Sequence, residues 1–230
     1  MRWTSCFIAA LVAGGLSGQP ASAQAPPAPA PPPARFVVVL DAAHGGNDTG
    51  GRLANNQLEK SFTLALSGRL QSLLAARGIQ VVTTRDSDAT VEPDRRAEIA
   101  NHAQAQACLS LHASESGSGI HLFTSSLAPA QPARFTPWRT AQAAWVTRSL
   151  ALAGTLNSAL LHAGMSVTLG RTTLPAIDSM TCPAVAIEIT PERSADHQTT
   201  TGLDDKNYQA SVATALAAAI VEWRMEAQQP

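Results

Sequence analysis

Aromatic residues are scarce in this 230-residue chain, at 4%, and positive charge is in no surplus: 16 Lys and Arg stand against 17 Asp and Glu. A nucleic-acid surface needs a basic stripe with aromatics for stacking, so no nucleic-acid partner is expected. Charged residues total only 14%, low for a soluble protein; Ala-rich helices account for that. No Gly-x-Ser-x-Gly elbow is present, which removes the usual serine-hydrolase arrangement. The glycine-rich stretch Gly45-Gly46-Asn47-Asp48-Thr49-Gly50-Gly51 lacks the Gly-Lys-Ser/Thr ending of a phosphate loop. There is no internal repeat.

Long apolar runs are also missing. The run from Cys6 to Gly15 is too short for a comfortable membrane span. With Arg2 before it and Ala21-Ser22-Ala23 after it, it reads as a secretory signal over residues 1–23. No cysteine follows at a cleavage point, which argues against a lipoprotein. Retention as an anchor is the alternative; after cleavage no membrane span is expected. Residues 24–34 are almost all Pro and Ala, an extended spacer or a tail without a role. A folded domain is therefore expected over residues 35–230, exported to the periplasm or the extracellular space. Only Cys108 and Cys182 remain after signal removal. An oxidising compartment favours a bridge between them, but spacing alone also allows two buried free thiols.

The hydrophobic pattern alternates strands with helices. Strands are expected at Arg35–Asp41, Ile79–Thr84, Ala107–His112, Gly119–Thr124 and Pro183–Ile189. Helices are expected at Gln57–Arg77, Pro93–His102, Trp138–His162 and Asp204–Met225, with Gly78 and Gly164 as stops. The order indicates one α/β domain with a mostly parallel central sheet flanked by helices. Sites in such sheets gather beyond the carboxyl ends of the strands.

Three segments end in residues that can bind a metal. The strand before Asp41-Ala42-Ala43-His44-Gly45-Gly46 delivers a histidine into a glycine turn. Leu58-Glu59-Lys60 opens a helix with a carboxylate, and Cys108-Leu-Ser-Leu-His112 ends a strand with a second histidine. Two imidazoles and one carboxylate are the protein ligands of a catalytic zinc site whose fourth position stays open. Pro183-Ala-Val-Ala-Ile-Glu188 brings another carboxylate to a strand end. Each residue has a plainer reading. His44 can be a turn histidine, Glu59 can complement a helix N-terminus, and Glu188 can cap a turn or pair with an arginine. A histidine closing an apolar strand, as His112 does, is costly unless partnered. Asp41 and Asp48 read as loop hydrogen-bonding residues, with orientation of a ligand histidine as the alternative.

In order and spacing, six segments resemble the zinc-dependent N-acetylmuramoyl-L-alanine amidases that cut peptidoglycan, the amidase-3 type. They are Asp41-Ala-Ala-His44-Gly-Gly, Leu58-Glu59-Lys60, Val82-Thr-Thr-Arg85-Asp86, Arg96-Ala-Glu-Ile-Ala-Asn101, Ser110-Leu-His112-Ala113 and Pro183-Ala-Val-Ala-Ile-Glu188. The resemblance implies that His44, Glu59 and His112 hold Zn2+ and that Glu188 is the catalytic carboxylate. It also implies peptidoglycan as substrate, while Arg85, Arg96 and Asn101 read as structural. Two departures stand out: Ala42-Ala43 replaces the usual Pro-Gly, which bears on the turn but keeps the ligand, and Ile189-Thr190-Pro191-Glu192 replaces a Gly-Phe-like stretch, which bears on substrate contacts.

Some family members carry an inserted helix that plugs the site. Here the helix expected at Trp138–His162 fills the interval between His112 and Glu188, so an open, constitutively active site is expected, with an activator protein as a candidate partner. The rival readings are a zinc peptidase using His112-Ala-Ser-Glu115 and a non-catalytic peptidoglycan-binding regulator. The other histidines, His102, His121, His162 and His197, read as surface or structural, with lining of the cleft as the alternative for His121.

Overall fold

Val37-Val38-Val39-Leu40 is apolar at every position, the signature of a strand covered on both faces. The computed structural model describes residues 35–131, 134–194 and 199–227. The signal and spacer readings, and His197, lie outside them. Six strands form the main sheet: β1 (Val37–Ala42), β2 (Gln80–Thr83), β3 (Ala107–Ala113), β4 (Ile120–Ser125), β5 (Val167–Thr172) and β6 (Ala184–Ile189). A two-stranded ribbon follows, β7 (Glu192–Arg193) with β8 (Thr200–Thr201). The helices are α1 (Glu59–Ala75), α2 (Pro93–His102), α3 (Val146–His162), α4 (Pro175–Asp178) and α5 (Lys206–Ala227).

The main sheet runs β2-β1-β3-β6-β4-β5. Strands β2, β1, β3 and β6 are parallel. β4 joins β6 antiparallel and carries β5 parallel at the edge. The expected α/β class with a mostly parallel sheet holds, with one antiparallel joint.

Successive side chains of a strand point to opposite faces, and here the faces differ in bulk. On one, Leu40, Leu109, Leu111, Ile187 and Leu122 pack with Leu66 and Leu70 of α1, Leu156 of α3 and Leu216 of α5. On the other, Val39, Cys108, Ala184 and Ala186 meet Ala97 and Ala100 of α2 and Ile177 of α4. The second face is thin, which lets a cleft approach the sheet. By the same alternation it continues through Asp41, Ser110, His112 and Glu188.

The helix expected over Trp138–His162 is interrupted. Trp138–Ala144 is a 3-10 segment broken at Thr140, and α3 starts only at Val146. The cause is tertiary. The buried Gln142 side chain donates to the carbonyls of Ile177, Met180 and Cys182 and accepts from Ser149. Ser149 Oγ in turn accepts from the Ala184 amide at the head of β6. The sequence pattern also missed β5 and α4. β5 is an exposed edge strand, and α4 has only four residues, so neither shows a period.

Cys108 and Cys182 form a disulfide, with Cα atoms 6.3 Å apart. It joins the start of β3 to the loop entering β6, the two strands that carry His112 and Glu188. Replacing both cysteines with alanine should lower the unfolding free energy by about 2–4 kcal/mol. An unchanged denaturation midpoint would mean that the bridge contributes nothing.

Candidate metal centre

The chain leaves β1 through a turn that inverts its backbone. His44 has φ 62°, followed by Gly45 at 131° and Gly46 at 59°. A non-glycine residue in the left-handed region costs roughly 1–2 kcal/mol, so the turn needs external support. Two buried arginines provide it. Arg96 donates to the carbonyls of Ala42 and His44, and Arg85 to those of Ala42 and Ala43. Arg96 is paired with the buried Asp41 at 2.6 Å, whereas Arg85 donates mainly to carbonyls, which include Lys60 and Ser87. Burial, and then the Arg96 charge, lowers the pKa of Arg85. Lys60 Nζ adds a bond to the Gly46 carbonyl. The structural readings of Arg85 and Arg96 thus acquire a specific task, holding the His44 turn. Asn101 ties α2 to Ser179 and Thr181 near α4.

α1 begins beside this turn. Its first amide donors, of Glu59 and Lys60, are taken by the carbonyls of Gly51 and Thr49, which satisfies an otherwise unpaired helix end. Glu59 is buried, its Oε1 accepting from Ala113 N and its Oε2 from Gly51 N. Its Oε1 lies 3.1 Å from His44 Nε2 and 3.2 Å from His112 Nδ1. Ligand atoms of all three residues fall within 4.8 Å of one another, a group that can hold a metal ion. Gly50 must lack a side chain here. At φ 62° its Cβ would stand 2.6 Å from His44 Cδ2 and 2.7 Å from Glu59 Oε2.

The charges are mutually compensated. Burial pushes the Glu59 pKa up, but hydrogen bonds from His112, His44 and two backbone amides overcome this and lower it. The His44 pKa is raised, first by its bond with Glu59, against burial, and further by Asp48. Asp48 Oδ2 lies 2.8 Å from His44 Nδ1 and its Oδ1 accepts from the Gly50 amide, so it bonds both its own loop and the histidine. Asp41 does not reach a histidine directly. It accepts from Arg96, Thr84 and Ser110, and Ser110 Oγ stands 3.5 Å from His112 Nε2.

Glu188 faces His112 across the β3–β6 register. On its other side His121 Nδ1 lies 3.4 Å from Glu188 Oε2, a neighbour the sequence left as a minor candidate. Glu115, the ligand of the peptidase reading, instead accepts the Ala54 amide and stands outside the cluster. His102 and His162 are exposed. A cleft of about 310 Å³ opens beside His44, Asp48 and His112; Val91 and Pro93 line it, as do Leu174, Pro175 and Ile177 around α4. That apolar wall escaped the sequence reading because no periodic pattern marks it.

The model of a family described as N-acetylmuramoyl-L-alanine amidase matches residues 38–222. The amidase AmiA of Escherichia coli (strain K12) is 40% identical over 77 residues, covering 34% of this chain and 27% of that protein. The germination-specific N-acetylmuramoyl-L-alanine amidase of Bacillus subtilis (strain 168) is 31% identical over 90 residues, covering 33% and 38% respectively. The matched stretch spans well under half of either relative. The catalytic domain of CwlV, an amidase from Bacillus (Paenibacillus) polymyxa, gives a TM-score of 0.63 at 24% identity, covering 82% of this chain and 97% of that one. That likeness is one of fold.

Arg96→Met should cost about 3–5 kcal/mol in chemical denaturation, because it leaves Asp41 buried without its partner. A loss below about 1 kcal/mol would mean that the pair does not hold the turn.

Proposed function

The chain belongs to the N-acetylmuramoyl-L-alanine amidase family, and from that premise we propose that residues 35–230 form a peptidoglycan amidase. It would hydrolyse the bond between the lactyl group of N-acetylmuramic acid and the L-alanine of the stem peptide. The observation that carries this reading is the convergence of His44, Glu59 and His112 at the carboxyl ends of the strands.

Zinc fits this donor set. Bonds of about 2.0–2.2 Å in a tetrahedral site put neighbouring ligand atoms about 3.3 Å apart. The distances from Glu59 Oε1 to the two histidine nitrogens, 3.1 and 3.2 Å, are close to that edge, and all three residues offer ligand atoms within 4.8 Å of one another. Asp48 on the far nitrogen of His44 supplies the carboxylate–histidine pairing that fixes a ligand's orientation. When bound, zinc supplies Lewis acidity, polarising the scissile carbonyl and lowering the pKa of water to about 7. Glu188 takes the proton from the attacking water and returns it to the departing nitrogen. Leu174 and Ile177 give the cleft beside His44 and His112 an apolar wall.

Export to the cell wall belongs to the same proposal. Among the described residues no helix is long and apolar enough to cross a membrane. The open cleft goes with activity that needs no added activator protein.

The test is digestion of purified peptidoglycan by the mature domain and by Glu188→Ala, with zinc content measured for both. Stem peptides with a free L-alanine amino terminus are expected from the wild type. The zinc-loaded variant should be slower by about 10²- to 10⁴-fold. A zinc-loaded wild type that releases nothing would refute stand-alone amidase activity and point to a regulator, or to an enzyme that needs its activator.

Ligand identity is tested separately by zinc titration. Glu59→Ala should lose more affinity than the roughly 10- to 100-fold carried by outer partners such as Asp48, and Glu115→Ala should lose none. The reverse result would restore the peptidase ligand set.

A further inference from the structure

His121 is half-buried on β4, and no step described so far uses it. Its register partner across the antiparallel joint is Glu188, so both side chains rise from the same face of the sheet. His121 Nδ1 stands 3.4 Å from Glu188 Oε2, and its other nitrogen, Nε2, lies 3.2 Å from the Ser118 carbonyl. A carbonyl oxygen only accepts, so Nε2 carries a hydrogen and donates it. That bond fixes the imidazole and leaves Nδ1 beside the carboxylate, at ion-pair distance. The two facing atoms attract only when a hydrogen lies between them, and with Glu188 ionised, as a base must be, both ring nitrogens act as donors. Separations of this length are usual in ligand-free sites and shorten when substrate closes them.

The space around the ring is also specific. Gly117 packs edge-on against it: a Cβ there would lie 2.9 Å from His121 Cε1, and Gly117 has φ 104°. Phe123 on the same strand meets the ring in an edge-type contact, with centroids 6.2 Å apart. A histidine whose far nitrogen is tied down, whose edge meets a glycine and whose near nitrogen faces a carboxylate has little rotational freedom.

Resting on the reading of Glu188 as the general base, we propose that His121 is the positioning residue for that base. Its Nδ1 holds Oε2 of Glu188, so the other carboxylate oxygen, Oε1, is left free and directed at the water proton. One carboxylate oxygen anchored and one free is what a base needs to act with fixed geometry, because a misaimed lone pair loses much of the benefit of proximity.

The experiment compares His121→Ala and His121→Asn in peptidoglycan digestion, with zinc content and thermal midpoint recorded for each. Asparagine is the conservative variant, because its side-chain amide can place a donor where Nδ1 stands. His121→Ala should keep its zinc and its fold. Its kcat should fall more than about tenfold but by less than the 10²–10⁴-fold of base removal, with KM within about twofold. His121→Asn should recover most of that loss.

Equal impairment of the two variants, or full activity in His121→Ala, would overturn the proposal in favour of packing alone. In a Glu188→Ala background, His121→Ala should cost nothing further; an additional loss of similar size would show an action independent of Glu188. Activity that survives Glu188→Ala alone would instead refute the base assignment, a separate failure. Nitrogen-15 spectra of the metal-free domain give a readout that needs no turnover. They should show His121 protonated at both ring nitrogens; a bare Nε2 would refute the anchoring bond, and a bare Nδ1 would refute the hold on Glu188.

Discussion

Two guanidinium groups held against one row of carbonyls set the geometry on which the rest of the site depends. The carbonyls of Ala42, Ala43 and His44 all accept from Arg85 or Arg96. These bonds bend the chain out of β1 into the left-handed turn that presents His44. Hydrogen bonds to charged donors are worth about 1.5–3 kcal/mol each, enough together to exceed the local backbone cost. Arg96 is neutralised by Asp41, which also holds the Ser110 hydroxyl below His112. One buried pair therefore reaches toward both histidines from beneath.

The remaining positions follow from the unequal faces of the sheet. Bulky side chains on one face bury the strands against α1, α3 and α5. Small residues on the other leave room for a cleft above Asp41, Ser110 and Ala186. At the carboxyl end of that face, register puts His112, Glu188 and His121 side by side on β3, β6 and β4. The antiparallel joint is what brings His121 into the row. The disulfide holds the opposite ends of β3 and the β6 entry together, so their spacing is constrained from both ends.

Much of this was legible in the residues. The continuous apolar run at Val37–Leu40, the helical spacing from Phe62 to Leu74, and Gly78 marked elements that the structure contains. His44, Glu59 and His112, which the structure brings together, all sat at element ends, where strand and helix signals run out. Less visible were features that rest on contacts between distant segments. Gln142 interrupts a helical pattern because its amide bonds three carbonyls around 177–182. Glu115 matched a ligand spacing next to His112, yet the Ala54 amide draws it away. His121 looked like any histidine on a strand.

The sequence by itself determined the α/β class, the parallel core of the sheet and the candidates His44, Glu59, His112 and Glu188. Each of these depends on local periodicity or on a short motif carried within one segment. Only the tertiary structure decided that His44 Nε2 and His112 Nδ1 meet a single oxygen of Glu59. It alone decided that Asp48 backs His44, that α4 walls the cleft and that His121 faces Glu188. Strand register and buried charge pairing fix those relations, and both join residues far apart in the chain, where a local pattern carries no information.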